Sequence, residues 1–311
     1  MIKVIALFVL GLVLICLGGD RLVDAAVAIA KKLGIPEIVV GATIVSLGTT
    51  LPEILVSTTA AFHGSTAIAA GNAFGSIICN TALIAGITQT IKPTSKVNVL
   101  PLKWRSAFFF LTLVGMIAVS NFTGQINQIS GIALLVLFAL YAYLNIKKSS
   151  EEGDEEDTAA EENISVVKQL VILAVCAALL YVGANLLVDN GIAIASALGV
   201  PERVIAVTFI ALGTSLPELV TSVVSLIKGF ANVGLGNIIG ANILNMLLVI
   251  GIPGAIGGIP MEPSTYRVDM PIALFVMGIL LLPTILKKKV SRWQGILLLI
   301  SYIGYCVFSF L

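Results

Sequence analysis

Apolar residues along this chain run in long blocks and do not alternate with polar ones. Blocks of about 18 residues or more can cross a bilayer as helices. They predict ten spans, near 2–19, 38–62, 67–91, 106–121, 126–146, 166–187, 203–227, 232–257, 269–286 and 293–311. The expected fold class is an all-α integral membrane protein with ten transmembrane helices. The first block follows Lys3 and has the outline of a secretory signal. Its continuation through Asp24, matched later in the chain by Asp189, favours a retained span.

The blocks repeat. Asp24 pairs with Asp189, Pro36 with Pro201, Glu53 with Glu218, Gly71 with Gly236 and Asn80 with Asn245, and each subtraction, such as 218 − 53, gives 165. From Gly18 to Gly86 against Gly183 to Gly251, roughly 28 of 69 gap-free columns are identical, the kind of internal repeat that transporter folds use. The expected organisation is a first five-helix repeat over 1–146, a linker over 147–165 and a second five-helix repeat over 166–311. An odd number of spans makes the second copy enter the membrane from the opposite face, so the repeats are expected to be inverted.

Basic residues set the expected orientation. The side of the N-terminus carries Lys3, Arg203 and Arg267, which leaves 15 of the 18 lysines and arginines on the other side. The positive-inside rule then puts both termini outside a cell membrane and the linker in the cytoplasm. That linker, KKSSEEGDEEDTAAEENIS, holds Glu151, Glu152, Asp154, Glu155, Glu156, Asp157, Glu161 and Glu162, too much like charge to fold alone. It reads as a solvated hinge or as a regulatory calcium sensor, and it lacks the EF-hand order of ligands.

Composition agrees with the span pattern. With 58% hydrophobic and 11% charged residues, a water-soluble globule would lack the polar surface to cover itself. A net charge of +1 without a basic cluster gives no reason to expect nucleic acid as a partner. Cys16, Cys79, Cys176 and Cys306 lie in apolar blocks without metal or disulfide spacing, and no cofactor is expected.

Outside the linker nine acids remain, and only Glu53 and Glu218 fall deep within spans. A charge there costs on the order of 3 kcal/mol or more unless something compensates it. Helical spacing puts Ser46, Thr49, Thr50, Glu53 and Ser57 on one stripe, and Ala211, Thr214, Ser215, Glu218 and Ser222 on its counterpart. Pro52 and Pro217 have no N–H, which deprives the carbonyls of Gly48 and Gly213 of their usual donor. The next span of each half adds Asn72, Ser76 and Asn80, or Asn237, Ala241 and Asn245, at steps of four. Gly71 and Gly75, like Gly236 and Gly240, have the spacing that lets helix backbones approach closely. A single amide reads as interhelical glue, but amides duplicated beside duplicated glutamates read as a cation site. Oxygen donors without sulfur or imidazole select Ca²⁺, Na⁺ and related ions.

GTTLPE followed by GNAFGSIICN, and GTSLPE followed by GNIIGANILN, resemble the two alpha-repeats of the sodium/calcium exchanger family within the cation/calcium exchanger superfamily. The resemblance implies ten helices in inverted five-helix repeats, and exchange of external Na⁺ for internal Ca²⁺ by alternating access. It implies metal-ion ligands at Ser46, Thr49, Thr50, Glu53, Ser76 and Asn80, and at Ala211, Thr214, Ser215, Glu218 and Asn245, with positions 46 and 211 contributing mainly backbone carbonyls. The expected partners are Na⁺ and Ca²⁺ as substrates and the lipid bilayer. The sequence sets no oligomeric state, and one chain suffices for a site shared by its halves.

Two positions depart from the family pattern: Ala241 where many relatives have Ser, and Asn245 where several prokaryotic and all potassium-dependent relatives have Asp. The first removes a ligand from one Na⁺ site, and the second weighs against potassium dependence. The alternatives are a proton-coupled antiporter of Ca²⁺ or another divalent cation, and a cation channel lined by the same groups. An enzyme is not expected. Ser215 has no base nearby, since the only histidine, His63, falls in a short loop. Asp24 and Asp189 sit at span ends, too far out for a protease pair.

Overall fold

The computed structural model describes residues 1–64, 66–149, 165–199 and 213–310. Nearly all of the acidic linker, the first half of the span expected at 203–227, Pro201, Arg203 and the candidate ligand Ala211 lie outside the described residues. The described chain forms α1 (Ile2–Leu33), α2 (Glu37–Thr49), α3 (Leu51–Phe62), α4 (Ile68–Ile91), α5 (Val99–Thr123), α6 (Gln128–Ser149), α7 (Val166–Ala197), α8 (Leu216–Ile227), α9 (Ala231–Gly257), α10 (Thr265–Lys287) and α11 (Arg292–Phe310). The strand among the described residues is a two-residue antiparallel pairing of β1 (Gln125–Ile126) with β2 (Ile259–Pro260), which ties the α5–α6 turn to the α9–α10 turn.

Among the described residues, seven helices are long and apolar enough to cross a membrane. The count is eight if α2 and α3, which bend by 44° where they meet, make one span. α8 and α11 are apolar but shorter over their described residues. α1 runs well past the apolar block that predicts it. Leu22, Val23, Ala26, Ile29 and Ala30 continue a buried stripe beneath Asp20, Arg21 and Asp24, and the helix stops at Gly34. That glycine takes the left-handed conformation, φ 63°, and returns its N–H to the last turn.

Burial sorts the helices into an inner and an outer set. α9 has no charged residue and is buried over 94% of its most apolar stretch, against 72% for α4 and 22% for α1 and α6. A helix apolar all round belongs in the centre. Small residues let α2 reach it. A side chain at Gly236 would strike the backbone of Ile38 and Ala42, and one at Gly240 would strike Ala42 and the Ser46 hydroxyl. The spacing of Gly236 and Gly240 therefore does what small residues do at membrane helix contacts. α1 and α7 cross in the same way, with Gly11 against the Gly183 carbonyl. Apolar side chains such as Leu111, Phe122 and Leu286 are mostly uncovered and form the lipid-facing surface.

Three of the inner helices widen locally into π-turns, at Gly41–Val45 in α2, Cys79–Ala85 in α4 and Asn245–Ile250 in α9. Such turns insert one residue into the helical ladder and are frequent at functional sites. In α2 the carbonyl of Ala42 accepts a hydrogen bond of 3.1 Å from the Tyr141 hydroxyl of α6.

Candidate cation site

The two glutamates are placed by identical local logic. α3 begins after Thr50 and α8 after Ser215, each with proline in its first turn, where a missing N–H costs nothing. Glu53 and Glu218 are each the third residue of their helix, so free amides and the helix dipole favour their charge. Proline here starts a second helix after the break at Thr50, and the 44° bend between α2 and α3 is consistent with the interrupted span expected at 38–62.

Both carboxylates are completely buried. Neither oxygen of Glu53 has a hydrogen-bond partner. The hydroxyls of Ser76 and Thr214 face this carboxylate without reaching hydrogen-bond geometry, and Glu218 lies within electrostatic reach. Glu218 accepts one bond of 3.3 Å from the Thr50 hydroxyl, has Thr49 facing it, and keeps its second oxygen free. Each half therefore presents its Gly-Thr turn to the other half's glutamate. No cationic side chain is among the described groups that act on either carboxylate.

Amides and hydroxyls complete the wall. Thr49 donates to the Asn237 side-chain oxygen at 3.0 Å, and the Asn237 amide nitrogen stays unpaired. Asn80 is the second residue of the π-turn of α4 and Asn245 the first of that of α9, both fully buried, and their side-chain oxygens have no partner. The Ser46 hydroxyl bonds the Thr43 carbonyl at 3.1 Å, and Ser215 is buried with a free hydroxyl. Of the ten expected ligands that are described, Thr49, Thr50, Ser76 and Thr214 face the two carboxylates, and Asn80, Ser215 and Asn245 are buried with unpaired side-chain oxygens. Ala241 is buried and offers no oxygen from its side chain.

Unpaired buried polar atoms cost about 1–3 kcal/mol each, and more when charged. Here two carboxylates, the side-chain oxygens of Asn80 and Asn245 and the Ser215 hydroxyl share that condition. Among the described residues no group of three or more His, Cys, Asp or Glu is arranged to hold a metal, so any cation here would rely on neutral oxygens. That is the donor chemistry of Na⁺ and Ca²⁺.

Sequence reading missed Asn242. Fully buried, it accepts from Asn80 at 3.3 Å and donates to the Thr81 hydroxyl at 2.7 Å and to Met277 sulfur at 3.3 Å, tying α4, α9 and α10 behind the site. Its counterpart at −165 is Ile77, so a search for duplicated polar residues passes over it. Asp24, expected at an interface, pairs with Lys228 at 2.7 Å together with Asp20. His63 is exposed at the end of α3.

The family described as sodium/calcium exchanger protein matches residues 3–147 and 168–311. The chain belongs to the sodium/calcium exchanger family. This exchanger is 28% identical over 344 residues to the sodium/calcium exchanger MaX1 of Methanosarcina acetivorans, covering 98% of this chain and 97% of that one. It is 33% identical over 286 residues to the inner membrane protein YrbG of Escherichia coli, covering 89% and 87%. Its fold superposes on a solved structure of the sodium-calcium exchanger NCX_Mj, soaked with 10 mM Na⁺ and no Ca²⁺, with a TM-score of 0.85, 33% identity and 99% of each chain covered. Another structure of that protein, soaked with 2.5 mM Na⁺ and 10 mM Sr²⁺, gives 0.85 at 34% identity.

Proposed function

We propose that this exchanger is a secondary active antiporter that trades Na⁺ for Ca²⁺ by alternating access, with the ions held near the bilayer midplane between two halves. One observation carries the reading: two fully buried carboxylates, one from each half, without a cationic partner among the described residues and each faced by at least one hydroxyl of the opposite half. The two negative charges balance one Ca²⁺ or two Na⁺. Left empty, the site holds two like charges in low dielectric, which opposes the rearrangement between outward and inward states. Only loaded forms then cross, as obligatory exchange requires.

In this reading the ligands are Ser46, Thr49, Thr50, Glu53, Ser76 and Asn80, and Ala211, Thr214, Ser215, Glu218 and Asn245. The fold is ten transmembrane helices in two inverted five-helix repeats, 1–146 and 166–311, joined by the acidic stretch 147–165. Both termini face outward from the cell membrane and the joining stretch faces the cytoplasm. Family membership supports a transporter without catalytic residues or resident cofactor. Na⁺ and Ca²⁺ are substrates, and one chain is sufficient.

The test is uptake of ⁴⁵Ca²⁺ into proteoliposomes loaded with Na⁺, with K⁺, Li⁺ or a proton gradient in parallel. A Na⁺ gradient drives uptake, and the other conditions do not. Equal uptake driven by protons alone would replace this reading with a proton-coupled antiporter, and flux without any counter-ion would replace it with a channel.

A further inference from the structure

Past Glu218, α8 carries two hydroxyls, Thr221 and Ser225, at positions where α3 has Val56 and Ala60. Thr221, Ser222 and Ser225 are buried, and none has a hydrogen-bond partner. Spacings of three and four put them with Ser215 and Glu218 on one face of the helix. The matching positions in the first half are Val56, Ser57 and Ala60, and the one hydroxyl among them, Ser57, accepts from Asn72 at 2.9 Å. Buried helical hydroxyls elsewhere in this chain turn back to a carbonyl one turn earlier, as Thr88 does at 2.9 Å, Ser106 at 2.7 Å and Thr284 at 2.5 Å. Other unpaired hydroxyls, Thr58, Thr90 and Ser120, are scattered singly. Those on α8 form a continuous row.

Ser222 and Ser225 of this row lie in the seam between α8 and α9. Gly234 covers it, with a position for a Cβ only 3.3 Å from Ser222 and from Ser225. A crevice with no room for a water molecule continues from Ser222 to Thr88 and Gln89 at the end of α4. The seven steps from Glu218 to Ser225 advance about 10 Å along the helix, toward the end of the molecule where α4 finishes and α9 starts. The face of the membrane that carries the linker is the same one, since Arg105 near the start of α5 bonds Asn145 near the end of α6.

We propose that cations leave Glu218 for the linker side of the membrane along Thr221, Ser222 and Ser225, through a seam that opens when the Gly234 face of α9 parts from α8. The proposal rests on the exchange reading above. Hydroxyl oxygens replace part of the hydration shell of a moving Na⁺ or Ca²⁺ without holding it as a carboxylate would. The first half has no such row, so the two routes out of the site differ in chemistry.

The test places a single cysteine at Ser225 in a parent chain whose four cysteines are changed to alanine. The chain is reconstituted in one orientation and treated from either face with a membrane-impermeant thiol reagent. Ser149→Cys marks the linker face and Gln125→Cys the opposite one. The expected result is reaction of Ser225→Cys from the linker face only, with loss of Na⁺-driven ⁴⁵Ca²⁺ uptake after modification. Reaction from the opposite face, or no reaction from either face with or without Na⁺ and Ca²⁺, overturns the route. Gly234→Val provides a second arm. A side chain jammed into the seam abolishes uptake and leaves Ca²⁺ binding from the opposite face intact, and unchanged uptake overturns the proposal. If the parent lacks Na⁺-driven uptake while Ser225→Cys reacts from the linker face, the exchange reading falls and the route stands. If the parent exchanges ions and Ser225→Cys is inert, the route alone falls.

Discussion

The surroundings of Glu53 and Glu218 begin alike and end differently. Each glutamate follows a Leu-Pro pair in the first turn of a helix, and each faces at least one hydroxyl of the other half. On the α3 side, Asn72 closes the space beyond the carboxylate by donating to the Glu53 carbonyl at 3.1 Å and to Ser57. On the α8 side the equivalent asparagine, Asn237, is engaged by Thr49, and Ser222 is left free. A duplicated sequence thus builds one shared centre with two unlike flanks. Matching residues guarantee matching backbone, but the partner that each side chain finds depends on neighbours that the duplication did not preserve.

The largest test of this comparison is the pair Glu53→Gln and Glu218→Gln. Each removes one of two buried charges, and each is expected to abolish Na⁺-driven ⁴⁵Ca²⁺ uptake. Retention of transport by either would mean that the two carboxylates are not equivalent ligands.

Gly240→Ala tests the closeness of α2 and α9. The new methyl group would meet the Ala42 carbonyl oxygen at 2.5 Å as well as the Ser46 hydroxyl, so the helices must part. Overpacking of this kind costs about 1–3 kcal/mol, and it should appear as a lower thermal midpoint in detergent together with weakened Ca²⁺ uptake. An unchanged midpoint would show that the contact yields freely.

Asn242→Leu tests the polar tie behind the site. It strips partners from Asn80 and Thr81, for a loss of about 1–3 kcal/mol in the same unfolding measurement. Because Asn80 is then free to turn, half-saturation by Ca²⁺ should rise. A stability loss without that rise would make Asn242 purely structural.

The smallest effect is expected of Lys228→Gln, which removes the paired contacts to Asp20 and Asp24. Those carboxylates are half exposed, and the change should stay within about 1 kcal/mol with exchange intact.

The membrane class, the repeat and the two glutamates were legible because each leaves a mark in one dimension: long apolar blocks, a constant offset, acids where acids are expensive. The length of α1 was less legible, since charged residues at 20, 21 and 24 interrupt the apolar block while the buried stripe continues beneath them. Asn242 escaped because its importance comes from Thr81 and Met277, which are distant in sequence. The β1–β2 pairing is too short to produce an alternating pattern. A lone polar residue carries no mark of this kind. The signal lay in duplication, and the unpaired row on α8 lacked that signal because only Ser222 has a serine counterpart, Ser57.

The wide turn at Asn245–Ile250 acts as a phase shifter for α9. Winding the same residues as regular α-helix, with none removed, would swing the remainder of the helix by about 100°, carrying Gly254 away from Gly131 on α6, against which it packs. The angular offset between the two ends of α9 is therefore stored in a single extra residue, so one central rod can show its amides inward at one level and its glycines to another neighbour a few turns on.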